Sequence, residues 1–114
     1  MPLLGFTKFK EKILDGTKTQ TIRKPRKRSI KVGDKLYIYW KLRTKDCMLL
    51  GEGIVTSIVR KRLVDIDNED AVKDGFKNME DFDKRFHAEM HPDLGMFDKV
   101  DIITWRWISR RITP

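Results

Sequence analysis

The segment Lys18-Thr19-Gln20-Thr21-Ile22-Arg23 puts an amine, two hydroxyls and a guanidinium side by side. A threonine hydroxyl is a weak nucleophile until a neighbour takes its proton. Lysine can take it once burial or an adjacent cation lowers its pKa toward neutrality, and Arg23 is such a cation. Arg23 can also grip a carboxylate or phosphate through two parallel hydrogen bonds. Strand periodicity sets Thr19, Thr21 and Arg23 on one face and Lys18, Gln20 and Ile22 on the other. A twist at the segment's start is therefore needed to bring Lys18 round to Thr21. The competing reading is a polar strand with cross-strand threonine pairs.

Arg23, Lys24, Arg26, Lys27, Arg28 and Lys31 then surround Pro25 with no acid among them. Proline favours an exposed loop here, and burial of so many unpaired charges is excluded by their desolvation cost. Such a loop suits phosphates, with strong salt dependence and little sequence preference. Asp74 is the carboxylate most worth following, because Gly75 and Phe76 after it suggest a packed turn that points it inward. A partly buried Asp74 near Lys18 can exchange protons with a substrate. Trp105 and Trp107 share strand parity, so they are either core or a stacking platform for a base. Trp105 is counted among the candidate contacts.

Metal sites are disfavoured. Asp65-Ile66-Asp67-Asn68-Glu69-Asp70 lacks the glycine and terminal glutamate of a calcium loop and reads as a solvated turn leading into a helix. His87 and His91 have helical spacing but no third ligand in the expected order, and they read as helix-surface residues. Cys47 stands alone, which excludes an internal disulfide and a cysteine-rich cluster; it reads as a small core residue. No cofactor is expected.

The elements that must position these groups follow from spacing. Phe6, Phe9, Ile13 and Leu14 recur at helical intervals, and Gly16 stops that helix. Leu36, Ile38, Trp40 and Leu42 alternate with polar neighbours as a strand, and Gly33-Asp34 turns into it. Residues 43–46 form a further turn. Cys47 to Val59 reads as a second strand, in which Gly51 and Gly53 imply a bend, a bulge or a close neighbour. Lys61 to Asp67 suggests another short strand. Asn78 caps a helix with Met79, Phe82, Phe86 and Met90 on one face. Phe97 to Ile108 is the last strand. The sum is an α+β fold: a small curled mixed or antiparallel β-barrel of about five to six strands with two or three short flanking helices.

Length and composition agree with one domain over residues 1–114. The 39% hydrophobic content fills one modest core, and the 37% charged content keeps the surface wet. No segment approaches a membrane span, and no signal-peptide order is present, so a cytoplasmic protein with no membrane partner, a monomer or weak dimer, is expected. The net charge is +8. Residues 1–31 hold ten Lys/Arg against Glu11 and Asp15, while the remaining 83 residues hold 15 cations and 15 acids. The whole excess lies in the first quarter of the chain, which points to a polyanionic partner.

Gly16-Thr17-Lys18-Thr19-Gln20-Thr21-Ile22-Arg23, Val32-Gly33-Asp34-Lys35-Leu36, Gly51-Glu52-Gly53-Ile54-Val55 and Asp74-Gly75-Phe76 together resemble the ASCH domain family of the PUA-like superfamily. The resemblance covers nearly the whole chain, closing with Ile103 and Trp105. It implies a curled barrel with a cleft for RNA or a nucleotide-like molecule, lined by Lys18, Thr21 and Arg23. Some small members of the family are amidohydrolases of N4-acetylcytidine and related N-acylated cytosines. The resemblance gives Lys18 and Thr21 catalytic roles there, with Asp74 standing where those members have a glutamate. Aspartate is one methylene shorter, and a misplacement of about 1 Å costs on the order of a hundredfold in rate. The basic loop from Lys24 to Lys31 exceeds what a free-nucleoside hydrolase needs. The reading that results is an RNA-binding domain whose cleft receives a base beside a phosphate-binding loop. A pyrimidine-nucleoside amidohydrolase and a ribonuclease are the alternatives.

Overall fold

Five strands and three short helices account for half of the chain in the computed structural model, which describes residues 3–26 and 30–110. The strands are β1 (Leu3–Phe6), β2 (Gln20–Arg23), β3 (Lys35–Trp40), β4 (Met48–Arg62) and β5 (Lys99–Arg110). They form one sheet in the order β1-β3-β4-β5-β2, with β1 parallel to β3 and the other pairs antiparallel. The α+β curled sheet matches the expected class.

Curling follows from local irregularity. The β4–β5 register shifts between Glu52 and Gly53 and again between Val55 and Ser57, and such bulges bend and twist a strand. Gly53 is needed where β4 passes under Trp105: a Cβ there would lie 2.7 Å from the indole Cδ1. The two sheet edges, β1 and β2, are brought together by this curl. Their seam carries guanidinium bridges, from Arg23 Nη2 to Gly5 O at 2.6 Å and from Arg26 Nη1 to Leu3 O at 3.1 Å.

Alternation along β5 sorts its residues between two cores. Ile103 and Trp105 join Leu4, Phe6, Leu36, Ile38 and Val55 on one side. Val100 and Ile102 join Ile22, Phe76, Phe82 and Phe86 on the other. The second core lies under α2 (Asn68–Asp74) and α3 (Met79–Phe82), the latter continued by wider turns over Asp83–Met90. Asp67 and Asp70 cap α2 reciprocally, and Gly75 ends it at φ 115°, the left-handed conformation that glycine adopts most readily. Asn78 caps α3 as expected, accepting from Asp81 N at 2.9 Å.

Several expectations are corrected. The first apolar run is not helical throughout: Leu3–Phe6 is a strand and α1 is only Lys10–Leu14, because Leu4 and Phe6 find a core beside β3. Lys61 and Arg62 prolong β4, and Leu63–Asp65 is a single tight turn, not a sixth strand. Cys47 is exposed in the β3–β4 turn and takes no part in the core. No described helix is long and apolar enough to cross a membrane.

Candidate functional site

The strand that carries the motif is preceded by a tightly held loop. Asp15 accepts from both Thr17 N and Thr17 Oγ1, at 2.8 and 2.7 Å. Lys18 N donates to Lys12 O at 3.0 Å, and Trp107 Nε1 donates to Lys18 O at 3.2 Å. This loop supplies the twist that strand parity alone does not. Lys18 therefore turns inward just before β2 begins, and it is 2% exposed.

Its ammonium is fully engaged. Nζ donates to Gln20 O at 2.7 Å, to Asp74 Oδ1 at 2.9 Å and to the main-chain carbonyl of Asp74. Asp74, the last residue of α2, is 4% exposed, and its Oδ1 also accepts from Ile22 N at 3.2 Å. Burial pushes Lys18 below the ordinary lysine value, opposed by the Asp74 charge. Burial likewise pushes Asp74 above the ordinary carboxylate value, opposed by Lys18. Desolvation thus moves both partners toward their neutral forms.

Thr21 and Arg23 complete the wall. Thr21 is 4% exposed, and its Oγ1 accepts from Arg23 Nε at 3.2 Å. Burial lowers Arg23 to about 10, against the Asp74 charge and with help from Arg26; it stays charged at neutral pH. Its guanidinium lies 4.6 Å from the centre of the Phe6 ring, and Lys18 Nζ lies 5.0 Å from that of Phe9. The first polar contact of Thr21 is therefore Arg23, and that of Lys18 is Asp74.

Lys18, Thr21, Arg23 and Asp74 line one cavity of about 460 Å³, within the usual range of small-ligand sites. Phe6, Phe9, Phe76 and Phe86 supply its apolar walls, and Lys24 and Arg26 also border it. Lys24 pairs with Asp93 at 2.6 Å across exposed surface. Lys31 is exposed and does not line the cavity. Lys27 and Arg28 lie outside the described residues.

Trp105 must be removed from the candidate contacts. It is 2% exposed, in the core, with its ring 6.4 Å from Phe6 and 5.6 Å from Trp107. It offers no face to a base, because β5 runs centrally through the sheet and directs this side chain inward. His91 moves the other way. Read from sequence as a helix-surface residue, it borders the cavity, its ring 4.7 Å from that of Phe86. Burial and the charge of Lys24 hold it below the ordinary histidine value. Helical spacing hid it, since the helix has ended and His91 occupies a non-helical position. Among the described residues no group of three His, Cys, Asp or Glu side chains is placed to hold a metal.

No protein-family model matches the sequence, and no curated protein does. Solved structures do match. A DUF984 protein from Enterococcus faecalis V583 superposes with a TM-score of 0.73 at 13% identity, covering 100% of this chain and 84% of its own. The ASCH domain from Lactobacillus crispatus JV V101 gives 0.69 at 12% identity, covering 93% of this chain and 79% of its own. ASCH from Zymomonas mobilis gives 0.62 at 15%, covering 96% and 71%. With near-complete coverage at these TM-scores, the chain has the fold of the ASCH domains.

Proposed function

We propose that this chain is an RNA-binding ASCH domain of the PUA-like superfamily. Its cavity receives one unstacked base while cations at the rim hold the backbone. One observation carries the reading: a base-sized hollow with aromatic walls has Lys18, Thr21, Arg23 and Asp74 inside it and Lys24 and Arg26 at its mouth. Sequence-tolerant capture of single-stranded RNA needs this combination of cationic groove and apolar pocket. The test is a fluorescence titration with short single-stranded RNA over a range of salt. Each phosphate contact contributes a slope of about −0.7 in log K against log salt. Substituting Lys24, Arg26, Lys27 and Arg28 by Gln should flatten the slope by roughly two units or more. Affinity indifferent to both salt and these substitutions would overturn the reading.

A second reading is favoured by the buried Lys18–Asp74 pair: hydrolysis of N4-acetylcytidine or a similar N-acylated pyrimidine nucleoside. Neutral Lys18 takes the Thr21 proton as Oγ1 bonds to the amide carbonyl carbon. Protonated Asp74 then delivers a proton to the departing amine, and water hydrolyses the acyl-threonine ester. To act, Lys18 must release one of its three acceptors. Incubation with N4-acetylcytidine should yield cytidine, at a rate that passes through a pH optimum, lost below it as Lys18 is protonated and above it as Asp74 ionises. A Lys18→Ala protein that remains active would exclude this mechanism.

A further inference from the structure

The cavity has a second cationic border that charge counting along the chain conceals. Lys8 and Arg43 line it together with Lys24 and Arg26. Lys8 comes from the connection between β1 and α1 and Lys10 opens α1, while Lys41, Arg43 and Lys45 come from the β3–β4 turn.

The pairing of the strands fixes where these groups lie. β3 flanks β1 in parallel, with Phe6 opposite Trp40, and Lys41 N donates to Phe6 O at 2.9 Å. The β3–β4 turn therefore stands at the end of β1, on its β3 side. Arg23 and Arg26 reach Gly5 and Leu3 from the other flank, so the β2 exit stands at the start of β1. The two cationic groups are diagonal to each other across this strand, with the cavity mouth between them.

The second border is ordered, and it is open on the turn side, whereas Lys8 pairs with Glu89 at 3.8 Å. Thr44 Oγ1 donates to Lys41 O at 2.8 Å and accepts from Asp46 N at 3.2 Å. Lys41 and Arg43 both adopt left-handed backbone, at φ 47° and 69°, a conformation that cationic side chains adopt rarely and that clusters at ligand sites. Lys10 and Lys41 lie 5.4 and 5.8 Å from the Trp40 ring centre, and that ring is half-buried. Among the described residues, none of Lys10, Lys41, Arg43 and Lys45 forms an ion pair. Asp46 is the one acid in that turn.

We infer that the ligand is a continuous single strand, not a free nucleotide. Its path runs diagonally over β1, from the β2 exit to the β3–β4 turn, and the base midway enters the cavity. Phosphates before and after that base meet opposite borders, which a mononucleotide with phosphate at one end cannot do. Unstacked bases beside the cavity have the Trp40 face to pack against. This inference rests on the RNA-binding reading above and adds the partner's form and path.

The experiment uses three proteins: wild type, a turn variant (Lys41→Gln, Arg43→Gln, Lys45→Gln), and a β2-exit variant (Lys24→Gln, Arg26→Gln). Each is titrated with a labelled single-stranded RNA of about ten nucleotides and with cytidine monophosphate. Wild type should bind the oligonucleotide far more tightly than the mononucleotide. The turn variant should bind it about tenfold more weakly or worse, with the salt slope flatter by roughly two units. A Lys10→Gln, Lys45→Gln variant, which leaves both left-handed positions intact, should lose affinity in the same direction. A turn variant equal to wild type, beside a weakened β2-exit variant, would overturn the second border and leave the RNA reading standing. A wild-type protein that binds no oligonucleotide would remove both.

Discussion

Removing the Asp74 carboxylate leaves the Lys18 ammonium buried against two carbonyls with no counter-charge. Breaking a buried pair from one side costs about 3–5 kcal/mol, so Asp74→Ala should lose that much stability in urea unfolding. The pair also holds main chain: Lys18 binds Gln20 O and Asp74 O, and Asp74 Oδ1 binds Ile22 N. It joins β2 to the end of α2 whatever it does to a ligand. A loss well under 1 kcal/mol would mean that water reaches the pair and that the cavity is wetter than its burial implies. At this scale much was legible in the sequence. Residue types and order single out Lys18, Thr21, Arg23 and Asp74, and all four line the cavity. Trp105 and His91 were misread because an aromatic or imidazole has no direction until its backbone does.

Helix α2 exists to deliver Asp74, and its two ends are built accordingly. Asp67 and Asp70 cap one end, while Gly75 closes the other and lets Phe76 turn into the second core. A Cβ on Gly75 would lie 3.0 Å from the Phe9 ring, at a φ of 115°. Gly75→Ala should therefore cost at least about 1–2 kcal/mol, the usual penalty of left-handed backbone with a side chain. It should also press Phe9 toward the cavity and weaken ligand binding, measurable by titration beside a thermal melt. Unchanged binding with lowered stability would separate the turn from the site. The Asn78 cap, the packed turn at Gly75-Phe76 and the alternation of β3 are local signals and were readable. The strand Leu3–Phe6 was not, since four residues beside a helical pattern become a strand only when β3 lies beside them.

The curl of the whole sheet depends on joining edges that share no backbone ladder. Arg23 contributes twice, to Gly5 O and Thr21 Oγ1, from a fork that stacks on Phe6. Lysine cannot reproduce that planar fork. Arg23→Lys should lose about 1.5–3 kcal/mol, the usual worth of a hydrogen bond to a charged group, and faster hydrogen exchange at β1 and β2 should accompany the loss. Exchange unchanged at both strands would show that the curl needs no such bridge. Arg23 is thus seam and site together, so its effect on ligand binding has to be compared with its effect on stability.

Length, alternation, turn residues and the first-quarter excess of cations already determined an α+β curled sheet with its surplus charge in the first quarter of the chain, because each is a local or additive property of the chain. The tertiary structure alone decided that Lys18 meets Asp74, that Trp105 is core and His91 is cavity wall, and that the β3–β4 turn faces the β2 exit across β1. Those outcomes depend on which distant segments the curl brings together. Proximity in space, unlike composition, is set only when the edges of the sheet close.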